Sequence, residues 1–155
     1  MSIEEGMAAP AFDLPASGGR QVSLEAMRGK PFVLYFYPKA DTSGCTKEAC
    51  DFQEALPALG SLGLDVIGVS PDPIKPIEKF AEKYGLSFPL ASDAEKTTAG
   101  AYGTWVEKSM YGRKYMGMDR ATFLIDAHGK VARIWRKVKV PGHAAEVLKA
   151  AQALG

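Results

Sequence analysis

The sequence predicts an α/β fold with a central mixed sheet flanked by helices, and three observations carry that prediction. Strand-like and helix-like segments alternate along the chain, the usual sign of α/β architecture. The run Pro31-Phe32-Val33-Leu34-Tyr35-Phe36-Tyr37 is β-branched and aromatic without polar alternation, as suits a strand covered on both faces. Near the end, two further strand-like runs flank a compact turn and are followed by a helix. A βαβ unit followed by a β-hairpin and a closing helix is the thioredoxin-type arrangement. No composition break, low-complexity tract or repeat divides the 155 residues, so the prediction is one thioredoxin-like domain over residues 1–155 with an N-terminal hairpin extension.

The elements follow in order. Turn signals at Pro10, Pro15 and Ser17-Gly18-Gly19 break up short apolar runs and predict the N-terminal hairpin. After the strand ending at Tyr37, Cys45, Ala49, Phe52, Leu56 and Leu59 recur at spacings of four and three, one face of a helix. Pro57 predicts a kink or early end to that helix. Leu64 to Ser70 reads as the next strand, followed by a helix around Ile77 to Tyr84 that stops at Gly85. A short strand near Phe88-Pro89-Leu90 and a short helix from Glu95 to Tyr102 come next. Ala121 to Asp126 and Val131 to Arg136 flank Ala127-His128-Gly129-Lys130 as a hairpin, and a last helix follows Pro141.

Composition narrows the function. With 46% hydrophobic and 24% charged residues and a formal net charge of +1, the chain has no global attraction to nucleic acid or to an anionic membrane. No stretch approaches the roughly 18 apolar residues of a membrane span. The acidic opening Met1-Ser2-Ile3-Glu4-Glu5 lacks the basic-then-apolar pattern of a secretory signal, which predicts a cytoplasmic protein. In that compartment a close cysteine pair is more often catalytic than structural.

Cys45 and Cys50 are the only cysteines, and Cys45 falls where the loop Pro38 to Gly44 gives way to a helix. Unpaired N–H groups and the macrodipole at a helix start favour the thiolate, the nucleophilic form. The same donors can hold a peroxide and stabilise the negative charge that grows on its departing oxygen.

The spacing Pro-x-x-x-Thr-x-x-Cys, formed here by Pro38, Thr42 and Cys45, resembles the active-site loop of the peroxiredoxins. The stretch Tyr35 to Lys39 and Gly44 to Cys50 resembles the PrxQ subfamily, the bacterioferritin comigratory proteins. So do Gly68-Val69-Ser70-Pro71-Asp72, Lys79 to Leu86, and Met110 to Gly117 running into Arg120 to Asp126. The resemblance implies a thiol-dependent peroxidase acting on hydrogen peroxide and organic hydroperoxides. Cys45 would be the peroxidatic cysteine and Cys50 the resolving one, closing an intramolecular disulfide. Thr42 would hydrogen-bond thiolate and peroxide, Pro38 would shield the pocket, and Arg120, steered by Glu48, would favour the thiolate and orient the substrate. It also implies recycling by thioredoxin or a glutaredoxin-type dithiol, no cofactor or metal, and a monomer. Ser43 stands where many relatives have proline, and Ile77 where many have histidine.

Residues five apart on an ideal helix lie about 8.6 Å apart between Cα atoms. A disulfide needs less than about 7 Å, so Cys45 and Cys50 can join only if the helix between them unwinds. Competing readings are weaker. Thioredoxin-like disulfide oxidoreductases use Cys-x-x-Cys and a facing cis-proline, whereas this pair is wider and no proline occurs between Pro89 and Pro141. Zinc would need a second ligand pair, which His128 and His143, expected to be solvated, do not supply. A redox sensor or holdase would use the same unwinding without turnover.

Overall fold

The computed structural model describes residues 3–154. A seven-stranded mixed sheet runs through its middle in the order β2-β1-β5-β4-β3-β8-β9. The strands are β1 (Asp13–Ala16), β2 (Arg20–Ser23), β3 (Phe32–Phe36), β4 (Asp65–Ser70), β5 (Leu90–Ser92), β8 (Ala121–Ile125) and β9 (Val131–Arg136). Strands β6 (Trp105–Met110) and β7 (Arg113–Met118) pair separately. The helices are α1 (Ser43–Ser61), α2 (Ile74–Tyr84), α3 (Thr97–Ala101) and α4 (His143–Ala153).

Strand β3 is central because both its faces are apolar. Phe32, Leu34 and Phe36 join one core with α3 and the N-terminal hairpin, while Val33, Tyr35 and Tyr37 join a second core with α1, α2 and α4. It pairs parallel with β4 and antiparallel with β8, in registers that set Phe36 opposite Ala121 and Val69. The end of β3 therefore delivers the loop before α1 to the end of β8 from which Arg120 projects. Gly68 on β4 is required by this packing, since a Cβ there would lie 2.9 Å from the Tyr35 ring and 2.7 Å from Leu90.

The N-terminal hairpin, both β3 and β4, and the β8–β9 hairpin match the expected elements. One expectation needs correction, and one element was unforeseen. Pro57 neither ends nor shortens α1, which continues to Ser61 with Pro57 on its exposed side. The helix loses one backbone donor there, but the ring meets solvent rather than packed side chains, and Ser61 Oγ donates to the Pro57 carbonyl at 2.9 Å. The hairpin of β6 and β7 was not expected at all. Its strands mix charged and apolar residues without alternation, and its turn places Tyr111 at φ 53° beside Gly112 at φ 77°.

Candidate active site

Thr42 has extended backbone and precedes the first turn of α1, where Thr46 N–H donates to Thr42 O at 2.8 Å. The N–H groups of Ser43, Gly44 and Cys45 lie ahead of that first bond, so positive potential gathers at the third helical residue, Cys45. Its side chain is 1% exposed, packed with Tyr35, Tyr37, Ala49 and Phe52.

A cation reaches the sulfur. Arg120, between β7 and β8, directs Nη2 to Cys45 Sγ at 3.3 Å and Nη1 to Glu48 Oε1 at 2.6 Å. Glu48 lies one turn beyond Cys45 on α1, so both contacts are made along one helix face. Burial works against the Arg120 charge, but Glu48 and Cys45 together outweigh it and raise its pKa, so the guanidinium stays protonated. Glu48 is 1% exposed, and burial pushes its carboxyl from the ordinary 4.5 up to about 7 despite the opposing pull of Arg120. Among the described residues, neither its second oxygen, Oε2, nor the Tyr35 hydroxyl has a hydrogen-bond partner. Gly44 leaves room for the guanidinium, since a Cβ there would sit 3.2 Å from Arg120 Nη2.

The loop itself is fastened at two points. Ala40 N–H donates to Asp72 Oδ2 at 2.7 Å, and that oxygen also accepts from Ser70 Oγ at 2.9 Å. Asp41, at φ 62°, accepts from the Tyr84 hydroxyl at 2.7 Å and from Lys83 Nζ at 3.0 Å. Nothing local in the sequence signals that Asp72 and Tyr84 pair with a loop more than thirty residues away.

The structure places Cys45, Arg120 and Glu48 together, three residues the sequence linked only through the family resemblance. Thr42 is exposed and turns its hydroxyl to the Lys39 carbonyl at 3.0 Å rather than to the sulfur. Pro38 is half-buried at the end of β3. Cys50 is a free, half-buried thiol on an intact α1, beside an open groove of about 620 Å³ lined by Asp41, Thr46, Lys47, Lys83 and Tyr84. Ser43 is exposed and Ile77 is wholly buried in the core. His143, expected to be solvated, is instead 5% exposed. Its Nε2 is hydrogen-bonded with Thr122 Oγ1 at 2.8 Å, and its ring meets Phe52 and Trp135 edge to face. A residue at a helix start reads as exposed until the strand it caps is known.

A profile of the AhpC/TSA family matches residues 6–134 of this chain. The chain belongs to the AhpC/TSA family. Among curated AhpC/TSA relatives, the putative peroxiredoxin Bcp of Coxiella burnetii is 49% identical over 148 residues, covering 96% of this chain and 98% of the relative. Peroxiredoxin Bcp of Bacillus subtilis is 46% identical over 149 residues, covering 96% and 95%. Among solved structures, the bacterioferritin comigratory protein of Xanthomonas campestris, studied for its alkyl peroxide reduction activity, superposes with a TM-score of 0.91 at 42% identity, covering 97% of this chain and 98% of that one. A Cys-to-Ser mutant of Xylella fastidiosa PrxQ gives 0.93 at 36% identity, covering 99% and 98%. This AhpC/TSA chain is therefore a thioredoxin-like peroxiredoxin of the Bcp and PrxQ kind, a thiol peroxidase.

Proposed function

We propose that Cys45 is the peroxidatic residue of this peroxidase and Cys50 its resolving residue. The observation that carries the reading is the 3.3 Å approach of Arg120 Nη2 to Cys45 Sγ at the start of α1. The Cys45 thiolate attacks one oxygen of the hydroperoxide, the O–O bond breaks, and the departing hydroxide or alkoxide takes a proton. Amide N–H groups of the first turn and the Arg120 guanidinium stabilise that leaving charge. Thr42, after turning from the Lys39 carbonyl, supplies a further donor, while Pro38 covers the pocket. Cys45 is left as a sulfenic acid.

Cys50 then attacks the Cys45 sulfur, expelling the oxygen as water and forming a disulfide. The intact α1 holds the two thiols too far apart for this, so residues 45–50 unwind first. A dithiol protein, thioredoxin or a glutaredoxin type, supplies two electrons to restore both thiols. A resolving cysteine on the same chain lets a monomer complete the cycle, and hydrogen peroxide and organic hydroperoxides are the proposed substrates. Among the described residues, no helix is long and apolar enough to cross a membrane; the proposed site of action is the cytoplasm.

The test is steady-state peroxide consumption with reduced thioredoxin and its reductase. The wild-type chain should turn over many times, and Cys45→Ser should not. Catalytic consumption surviving in Cys45→Ser refutes the assignment, and a single slow oxidation without turnover in the wild type favours a sensor.

A further inference from the structure

Glu48 lies inside the segment that has to unwind. The backbone between Cys45 and Cys50 cannot rearrange without taking Glu48 out of a site where it is 1% exposed. In that site Oε1 accepts from Arg120 at 2.6 Å, and Oε2 has no partner among the described residues. The charged and titratable groups around it are Cys45 and Asp51 on α1, Tyr35 and Tyr37 on β3, and Arg120 ahead of β8. From α4, His143 lies within range of the Arg120 charge. Arg120 alone of these favours the ionised carboxylate, and one ion pair does not offset the loss of water from both oxygens.

We propose that Glu48 couples a proton to the redox cycle: it holds a proton while α1 is closed around it and releases that proton to solvent when residues 45–50 unwind to form the disulfide. This rests on Cys50 being the resolving residue. Resolution itself balances without it, since the sulfenic acid and a thiol give a disulfide and water. The Glu48 proton is an additional one, moved by the change in shape rather than by the chemistry. His143 stays on Thr122 and Trp135, outside the unwound segment.

The direction follows from linkage. Glu48 titrates near 7 with α1 closed and at the ordinary 4.5 once exposed. The closed form therefore binds more protons in between. Its advantage is complete below 4.5 and is lost as pH rises through 7. Raising the pH across this window opens the helix start, with a ceiling of about 300-fold in the opening equilibrium. Acid prolongs the life of the sulfenic acid and exposes it to further oxidation.

The experiment is redox equilibration of the Cys45–Cys50 pair against dithiothreitol from pH 5 to pH 8, in the wild-type chain and in Glu48→Gln. Both proteins share the thiol protons, so their ratio isolates Glu48. The disulfide should gain about 70-fold more in the wild type than in Glu48→Gln across that range, which is about 55 mV for a two-electron couple. Parallel profiles overturn the proposal. Absence of any Cys45–Cys50 disulfide in the wild type removes the resolving role of Cys50 and the proposal with it, a result distinct from parallel profiles. Should Glu48→Gln not fold, carbon NMR titration of the Glu48 carboxyl in Cys45→Ser decides instead. A midpoint near 7 supports the proposal and one near 4.5 overturns it.

Discussion

Arg120 Nη1 donates to Glu48 Oε1 at 2.6 Å in a largely buried contact, while the other guanidinium arm rests on Cys45 Sγ. By accepting at Oε1, the Glu48 carboxyl group fixes one edge of the planar cation, which orients the second edge at the sulfur. Lysine offers a point charge and no fork. Arg120→Lys should lower the second-order rate of Cys45 oxidation by about 100-fold, as expected for removing one donor from developing oxyanion charge. Stopped-flow fluorescence with hydrogen peroxide measures it, and a rate within a few-fold of wild type would show that the fork is dispensable.

Gly44 gives that fork its space. A methyl group 3.2 Å from Nη2 must displace a guanidinium that Glu48 already holds. Alanine is otherwise a better helix former than glycine by about 1 kcal/mol. Gly44→Ala should therefore raise thermal stability slightly while slowing peroxide attack several-fold. Calorimetry and stopped-flow on the same sample separate the two effects.

On the proposed roles, Cys50→Ser should leave the first chemical step intact and remove the second. One equivalent of peroxide should be consumed in a burst, intact mass should show one added oxygen, and steady-state turnover with thioredoxin should stop. Undiminished turnover in this variant would transfer resolution to an external thiol.

Phe52 anchors α1 just past the segment proposed to open. It is fully buried, stacked on Tyr35 at 4.7 Å between ring centroids and edge-on to His143 at 6.1 Å. Phe52→Ala should cost about 3–5 kcal/mol of folding stability in urea denaturation. A loss under 1 kcal/mol would mean that α1 is not held to the sheet through this ring.

Acid should weaken the fold through His143. Burial lowers its pKa below the ordinary 6.5, so the unfolded chain takes up a proton that the folded one refuses. This contribution is full above 6.5 and is lost as pH falls through the folded value. His143→Gln can keep the bond to Thr122 without titrating. Comparing urea midpoints at about pH 5 and about pH 7.5, the wild type should lose more than the variant.

Much of this was legible in the chain. β3 announced itself within a run of seven residues without a charge, and the loop before α1 by its turn-forming residues Pro38 to Gly44. Glu48 and Arg120 could be paired only through the resemblance, because nothing local ties residues 72 apart in sequence. Three features stayed hidden for physical reasons. The β6–β7 strands lack a period because neither face is wholly covered. Pro57 reads as a breaker unless its exposed position on α1 is known. His143 is buried by Phe52, Trp135 and Thr122, from three other elements.

The sulfur and its guanidinium are 75 residues apart along the chain. Cys45 can therefore acquire its arginine only after β8 has been synthesised and has docked against β3. During translation, and in any unfolded copy, Cys45 lacks the contact that would single it out for oxidation. On the proposed role of Cys45, its activation by Arg120 is thus a late product of folding rather than a property of the loop alone.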